Sequence, residues 1–280
     1  MYETIQIGEC ADSPEERLGW IKNITNRVNR SNGPVVLDMS SIRWLDSFFT
    51  ASVAALVENP NVVGFIRPRD QRVSGYINTI GFPNGYSEAD VIPTYKSYIP
   101  LTRLGRNEER SKELLKAFDS KLRSVASIST EMLNTYLQPI YELFDNFLEH
   151  SFAASGFIAG QYYPRKEYLE VTMIDTGIGF AGSYQNNTDT PHTHQEALNK
   201  AFDGISSTSD PKRGNGISKS KKIICDAMGG SMMILSGDSA VAPSVDRRRL
   251  FNLRDFCWQG VIISFRIPKT DTPINFYDIY

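Results

Sequence analysis

Short β-branched segments alternate with amphipathic segments along the first eighty residues, and this alternation limits the folds that the chain can adopt. The apolar run VVLDM at 35–39 follows a helical pattern at 15–28. A second apolar run at 62–66 lies between helical patterns at 48–57 and 71–80. Strands that alternate with helices in this way form α/β layers. The sequence therefore predicts a small α/β layer in the amino-terminal half.

The carboxy-terminal half has a different order, in which helices come before strands. Helical patterns at 107–122 and 131–151 precede a strand pattern at 167–174. A helix near 216–228 then precedes the closing strands. This order predicts an α/β sandwich with a mixed sheet and helices on one face.

A boundary between two domains is predicted near residue 100. Residues 81–101 contain three prolines and two glycines without clear periodicity, which is typical of a connection. The chain of 280 residues is long enough for two domains of ordinary size. We predict one domain at 1–100 and a second at 104–280, with the linker near 90–103.

Composition excludes several functional classes. Lys and Arg number 30 against 32 Asp and Glu, so the chain as a whole is not drawn to nucleic acid or to an anionic membrane. No apolar run approaches the roughly 18–20 residues of a membrane helix, and the first residues lack the pattern of a signal peptide. Three widely spaced cysteines suggest neither a disulfide framework nor a zinc site. We expect a cytoplasmic protein with no nucleic-acid or membrane partner.

The segment YELFDNFLEHS has one apolar and one polar side. Its apolar residues recur at helical spacing, whereas the polar residues share the opposite side: Glu142, Asp145, Asn146, Glu149 and His150. Such a face is either a solvated surface or one wall of a site. Pro139, just before it, is either the first residue of this helix or a kink in a longer one.

Two glycine-containing turns have the composition of ligand-binding turns. Asp175 ends an apolar strand and is followed by Gly177 and Gly179. Glycine lets the backbone approach a ligand closely, and a carboxylate accepts a hydrogen bond from an amine. Gly214 and Gly216 open a later helix, whose free N–H groups suit phosphate. Basic residues surround that second turn: Lys212, Arg213, Lys219, Lys221 and Lys222. Taken singly, each motif also fits an ordinary turn.

Together and in this order, the three elements resemble the Bergerat-fold ATPases. This GHKL superfamily groups type II topoisomerases, heat-shock chaperones, histidine kinases and mismatch-repair proteins. The resemblance covers roughly residues 105–268 and includes WQGVIISFRIP at 258–268 as the final strand. It implies that ATP and Mg²⁺ bind to the carboxy-terminal domain.

The resemblance also implies a role for each matching residue. Glu142 matches the carboxylate that activates water or a hydroxyl, and Asn146 matches the ligand of Mg²⁺. Asp175 matches the acceptor for the adenine amino group, with Gly177 and Gly179 shaping the pocket.

The remaining matches concern the phosphates. Gly214 and Gly216 match glycines of the lid, and the stretch 182–213 would be the flexible ATP lid. Lys219 is assigned to the phosphates from its position alone. One position departs from the family pattern, because Val261 follows Gly260 where many members have threonine.

The segment VVLDMSSIRWLDSFF at 35–49 resembles STAS domains of the anti-sigma-factor antagonist type. Those antagonists have Asp-Ser-Ser-Gly at the helix start and are phosphorylated on the second serine. The matching position here is Phe48, so the phosphorylation switch is expected to be absent. Ser47 is expected to cap the helix instead.

Two further clusters fit surface loops better than sites. His192 and His194 flank Thr193, but no cysteine cluster or third histidine lies nearby to complete a metal site. Three consecutive arginines at 247–249 form a local patch on a nearly neutral chain.

These observations predict a Mg-ATP-binding regulatory ATPase or protein serine/threonine kinase, whose STAS-like half senses a signal or recruits a regulatory protein partner. A self-phosphorylating histidine kinase is disfavoured, because none of the three histidines lies in the helix at 107–122. Two alternatives stay open, namely a nucleotide-sensing module without turnover and a structural domain with a vestigial pocket. A homodimer is compatible with all three.

Overall fold

Helices and two separate sheets make up the computed structural model, which describes residues 2–87, 98–126, 130–205 and 215–270. The described α-helices are α1 (Pro14–Arg30), α2 (Ser47–Val57), α3 (Gln71–Thr79), α4 (Glu108–Ala126), α5 (Thr130–His150), α6 (Gly179–Thr188), α7 (His194–Phe202) and α8 (Gly216–Lys221), and a π-helix at Lys222–Ala227 continues α8. The described strands are β1 (Glu3–Gln6), β2 (Val35–Asp38), β3 (Val62–Ile66), β4 (Thr102–Leu104), β5 (Gly156–Tyr163), β6 (Tyr168–Asp175), β7 (Ser231–Gly237), β8 (Ser239–Pro243), β9 (Arg248–Asn252) and β10 (Trp258–Pro268). The predicted α/β class is confirmed. Within these ranges, no helix is long and apolar enough to cross a membrane.

The small sheet consists of β1, β2 and β3 in chain order, and both of its pairings are parallel. Because β-α-β crossovers are right-handed, sequential order places α1 and α2 on the same face of this sheet. The capping box of Ser13 and Glu16 starts α1. On the covered face, Ile5 and Leu37 are fully buried. The predicted amino-terminal α/β layer is therefore present.

The cap of α2 differs from the one expected. Asp46 is the N-cap, and its carboxylate accepts a hydrogen bond from the backbone N–H of Phe49 at 2.7 Å. Ser47 lies one residue inside the helix, where its buried hydroxyl donates to Glu170 at 2.8 Å. The prediction that Ser47 caps the helix is wrong, because its side chain is turned toward a buried carboxylate of the large sheet.

The large sheet has the order β4-β5-β6-β10-β7-β8-β9, and all of its pairings are antiparallel. The mixed sheet that we predicted is therefore wrong in this detail. The physical reason is the length of the connections, because only a few residues join β5 to β6 and β7 to β8. Parallel neighbours need a crossover of a dozen or more residues.

Both faces of the large sheet are covered, and the helices of the carboxy-terminal half lie on one of them, as predicted for the sandwich. On one face lie α4, α5 and α8. On the other face, α2 packs against β5 and β6 and also against β3 of the small sheet. A helix between two sheets has no solvent side, which explains why α2 is apolar nearly all round and buried from Ser47 to Leu56.

The two sheets lie on either side of the predicted domain boundary. The small sheet ends at Ile66 and the large sheet begins at Thr102. Side chains of both sheets nevertheless pack into one hydrophobic core, in which Leu37 and Phe48 join Ile174 and Ile262. The division at 1–100 and 104–280 stays a prediction, and most of the predicted linker, at 88–97, lies outside the described residues.

A buried cluster of charges joins the amino-terminal layer to the large sheet. Arg17 of α1 donates to Glu170 of β6 at 2.8 Å and also to Asp46. Arg266 of β10 donates to the same oxygen of Glu170 at 2.6 Å. Burial alone would raise the pKa of Glu170, but the two guanidinium groups hold it below its usual range. Burial raises the pKa of Asp46 to about 6, and the charge of Glu170 adds to this effect.

We expect Arg17→Ala to lower the free energy of unfolding by about 3–5 kcal/mol, because it leaves two buried carboxylates without their shared cation. Urea unfolding followed by circular dichroism measures this difference. Arg110→Ala is the matched control, since Arg110 pairs with Glu113 on an exposed helix face and its loss should cost less than about 1 kcal/mol. Equal midpoints for the two variants would contradict the structural role of the cluster.

Candidate functional site

A cavity, here called the α5 cavity, opens between α5, α6 and the adjacent face of β6 and β10. It is lined by Leu143, Asn146, Phe147, His150, Ser151, Met173, Asp175, Gly179, Phe180, Ser183, Tyr184, Ala201, Ile217, Val261 and Ile263. Most of these side chains are apolar, and a few polar groups converge among them. Such a lining is found in small-molecule sites, but the free volume of this cavity is about 60 Å³, well below the roughly 300–1,000 Å³ of a typical ligand pocket. A nucleotide would therefore need the walls to move apart.

Asp175 provides the acidic group of the cavity. Its carboxylate accepts hydrogen bonds from the backbone N–H groups of Gly177, at 2.8 Å, and Val261. The indole N–H of Trp258 donates to its backbone carbonyl at 3.0 Å. Burial raises the pKa of Asp175 to about 6, although the two backbone donors partly offset this shift. The carboxylate is thus fixed in place and is ionised at neutral pH.

The turn after Asp175 requires glycine for steric reasons. A Cβ at Gly177 would lie 1.9 Å from the carbonyl oxygen of Ser151, at the end of α5. That carbonyl accepts a hydrogen bond from the N–H of Ile178 at 2.8 Å, so it cannot move away freely. Gly260 of β10 also has no room for a side chain, because a Cβ there would lie 2.3 Å from the carbonyl oxygen of Asp175. The glycines let three backbone segments meet at the cavity wall.

Glu142, Asn146 and Gly216 meet at the contact between α5 and α8. A Cβ at Gly216 would lie 2.6 Å from Glu142 Oε2 and 3.3 Å from Asn146 Nδ2. Glu142 Oε1 accepts a hydrogen bond from the amide of Gln138 at 3.0 Å. The Nδ2 atom of Asn146 is buried and has no hydrogen-bond partner among the described residues. An unpaired buried amide costs stability, and a ligand in the cavity would relieve that cost.

The structure brings most of the predicted site residues together. Asn146, Asp175 and Gly179 line the cavity, and Gly177 supports Asp175 from below. Gly216 lies next to the side chains of Glu142 and Asn146, but neither Gly216 nor Glu142 lines the cavity.

Four further predictions have different outcomes. Lys219 lies on α8, outside the set of residues that line the cavity. Gly214 lies outside the described residues, together with Lys212 and Arg213. His150 lines the cavity, as Asn146 of the same side of α5 does. Pro139 lies inside α5, which begins at Thr130, so it is not the first residue of this helix.

The segment that we predicted as a flexible lid contains two helices. Where we expected a loop at 182–213, the structure has α6 and α7, and residues 206–214 lie outside the described part. Thr193 starts α7 with a capping box to Glu196. Tyr184 of α6 and Ala201 of α7 both line the cavity. This part of the segment is a wall of the site.

The clusters that we expected to be solvated loops are partly packed. His192 lies 2.9 Å from the ammonium group of Lys200, whereas His194 contacts Asp238 in the turn between β7 and β8. Arg248 in β9 pairs with Asp203 at 3.1 Å. In the described ranges, no three His, Cys, Asp or Glu side chains cluster as a metal site would require.

Sequence reasoning missed several residues of the site. Ser236 of β7 accepts a hydrogen bond from the N–H of Phe180 at 3.1 Å and donates to the carbonyl of Gly260 at 3.1 Å. It therefore fixes the start of α6 against the final strand. Trp258 was identified only as part of that strand. No local pattern marks either residue, because each acts through a contact with a distant segment.

The polar groups fit Mg-ATP. The amide of Asn146 can offer its oxygen to a hard cation or its N–H to a phosphate oxygen. Mg²⁺ in nucleotide sites is commonly held by one or two protein groups together with phosphate oxygens and water. One amide at the cavity is consistent with that pattern.

Comparison with known proteins gives no further identification. The sequence matches no protein-family model and none of the curated proteins with which it was compared.

We expect Gly177→Ala to destabilise the fold by about 1–3 kcal/mol or more, because the added methyl group collides with the carbonyl of Ser151. Gly19→Ala is the control, since a Cβ at Gly19, in α1, meets nothing within 4 Å. Alanine there should raise stability by about 0.4–1 kcal/mol. Thermal unfolding of both variants checks the prediction, which fails if Gly177→Ala is as stable as the wild type.

Proposed function

We propose that the α5 cavity binds Mg-ATP and that the chain is a regulatory ATPase or a protein serine/threonine kinase of the GHKL type. The observation that supports this proposal best is the convergence of Asn146, Asp175 and Gly216. These residues come from three segments that are distant along the chain, and they meet around one cavity. Their order along the sequence is the order in which the Bergerat-fold ATPases carry the matching residues.

The base of the nucleotide would bind in the apolar part of the cavity. Met173, Ile217 and Ile263 provide apolar surface for a planar ring. The ionised carboxylate of Asp175 would accept a hydrogen bond from the exocyclic amine of adenine. Val261 lines the cavity where many members of the superfamily have a hydroxyl, so recognition of the base would depend more strongly on Asp175.

The phosphates would lie toward α8. Asn146 would hold Mg²⁺, which when bound supplies positive charge that neutralises the phosphate oxygens. The close contact at Gly216 keeps the helix start next to Glu142 and Asn146. Glu142 would orient a water molecule or a protein hydroxyl and accept its proton.

A nucleotide-sensing module that binds ATP without turnover is the second candidate. It is favoured by the position of Glu142, which does not line the cavity and already accepts a hydrogen bond from Gln138. The two candidates differ in whether phosphate is released or transferred. Both leave the amino-terminal layer to recruit a regulatory protein partner in the cytoplasm, and both are compatible with a homodimer.

The buried position of Ser47 supports a partner contact that does not depend on phosphorylation of this serine. Its hydroxyl is 2% exposed and donates to Glu170 in the core. A phosphate there would bring two negative charges next to a buried carboxylate. The amino-terminal layer would therefore recruit its partner without a switch at Ser47.

Titration with a fluorescent ATP analogue, with and without Mg²⁺, tests the proposal. We expect Asn146→Ala to reduce Mg²⁺-dependent affinity about tenfold or more, because it removes the one side-chain amide among the described residues that line the cavity. Asn23→Ala is the matched control, since Asn23 is an exposed residue of α1. Absence of binding by the wild type at millimolar nucleotide would refute both candidates.

Turnover separates the two candidates. If the chain is an ATPase or a kinase, Glu142→Ala should keep nucleotide affinity and lose about 10²–10⁴-fold in phosphate release or transfer. Glu109→Ala, on the exposed side of α4, is the matched control. Mg²⁺-dependent binding by the wild type without any turnover would favour the sensing module. Wild-type turnover by Glu142→Ala would show that this carboxylate has no catalytic role.

The raised pKa of Asp175 predicts a pH dependence of base binding. Wild-type affinity for adenosine should fall between about pH 7.5 and about pH 5, because the carboxyl is protonated below about pH 6 and no longer accepts the amine. Adenosine is the probe because it does not titrate in this interval. Asp175→Asn should bind at least about tenfold more weakly at pH 7.5 and lack this dependence.

The same substitution has a distinct effect on stability. Because folding raises the pKa of Asp175, this group stabilises the fold below its ordinary pKa and loses that contribution as pH rises toward about 6. At pH 7.5, Asp175→Asn should therefore have a Tm equal to or above that of the wild type. A lower Tm together with unchanged adenosine affinity would show that Asp175 has only a structural role.

A further inference from the structure

A second cleft, here called the junction cleft, lies where the amino-terminal layer meets the large sheet. It is built from the loop before α2, from α3, from the segment before β4, from the end of α4 and from β5. None of its lining residues lines the α5 cavity. Neither the ATPase proposal nor the sensing alternative uses this cleft.

Aromatic side chains form much of its wall. Trp44 is 55% exposed, although tryptophan usually buries most of its large surface. Tyr76 and Tyr98 pack edge to face, with ring centroids 5.1 Å apart. Tyr76 is half-buried and Tyr98 is 38% exposed, and aromatic rings that line a common cleft provide flat apolar surface for a ligand.

The charge of the cleft is positive. Arg43 and Arg72 line it, and no acidic residue is among its described lining residues. The side chain of Arg72 is 94% exposed, and its ion pair with Asp70 is long, at 3.4 Å. An exposed pair of this kind contributes little to stability, so this guanidinium group remains able to bind an anion.

Gln161 provides an independent indication of a ligand. Its Oε1 atom is buried and has no hydrogen-bond partner among the described residues, and the residue lines the cleft. A buried acceptor without a donor is costly, and native proteins pair the great majority of such atoms. A ligand with an N–H or O–H group would supply the missing donor.

We propose that the junction cleft binds a small, flat, anionic ligand that carries a hydrogen-bond donor. The aromatic side chains of Trp44 and Tyr76 would contact the flat part, and Arg43 and Arg72 would contact the anionic group. Gln161 would accept the hydrogen bond from the donor. This inference does not depend on the α5 cavity, so it stands or fails separately from the ATPase proposal.

The probe for this cleft is 8-anilino-1-naphthalenesulfonate, a flat aromatic anion with one N–H group. Titration of the full chain, followed by the fluorescence of the probe, gives its Kd. We expect saturable binding that weakens about fivefold or more in Trp44→Ala and in Gln161→Leu, since each removes one of the proposed contacts.

A neutral probe of similar shape isolates the charge contribution. The double variant Arg43→Ala/Arg72→Ala should bind the sulfonate about tenfold more weakly and should bind N-phenyl-1-naphthylamine, which lacks the sulfonate, as the wild type does. Arg69→Ala/Arg110→Ala removes the same charge outside the cleft and should leave both affinities unchanged. Trp44, Arg43 and Arg72 are exposed, so their variants keep the core intact.

Two results would overturn the proposal. One is unchanged affinity for the sulfonate in Trp44→Ala and in the double variant, which would place the probe elsewhere on the chain. The other is an equal loss of affinity in the cleft double variant and in its control, which would indicate attraction by net charge alone.

Discussion

Burial of both faces of β6 and β10 is the constraint on which the rest of the structure depends. Side chains alternate along a strand, so Met173 faces the α5 cavity while Thr172 and Ile174 face the amino-terminal layer. The site and the amino-terminal layer are therefore attached to opposite faces of the same two strands. A shift of one residue in the register between β6 and β10 would exchange the two sets of side chains between the faces. In the observed register, Ile263 pairs with Met173.

Glu170 keeps that arrangement in place. It is fully buried, and its oxygens accept hydrogen bonds from Ser47, Arg17 and Arg266. A buried carboxylate is tolerated only when its partners are complete, and here the partners come from α1, α2 and β10. Displacement of the amino-terminal layer would leave this charge unpaired. The cluster thus specifies one position of the amino-terminal layer on the sheet. It does so without a necessary gain in stability, because apolar residues in place of a buried ion pair often give an equally stable protein.

Sequence predicted the elements whose pattern is local. The run 62–66 is the observed β3, and Asn146 and His150 of the polar side of α5 line a cavity, because periodicity and length are properties of one segment. The strand β5 was missed, since GFIAGQYY does not alternate, and both of its faces are covered where it is apolar. The contacts of Trp258 with Asp175 and the junction cleft were also missed, because they join segments that are distant along the chain. The short connection between β5 and β6 makes this pair antiparallel. Because β5 was missed, that connection was not recognised in the sequence.

The two faces of β6 carry opposite electrostatic situations. On the face toward the amino-terminal layer, the charge of Glu170 is balanced by two cations, and its pKa is lowered. On the cavity face, no cation pairs with Asp175 in the described structure, its pKa is raised, and the amide of Asn146 is unpaired. Groups of the second kind cost stability and gain favourable contacts only when a ligand arrives. The Glu170 cluster, whose charges are all paired, attaches the amino-terminal layer to one face of the sheet. The cavity face retains the incompletely paired groups. We expect this division in a sheet that uses one face for stability and the other for binding a ligand.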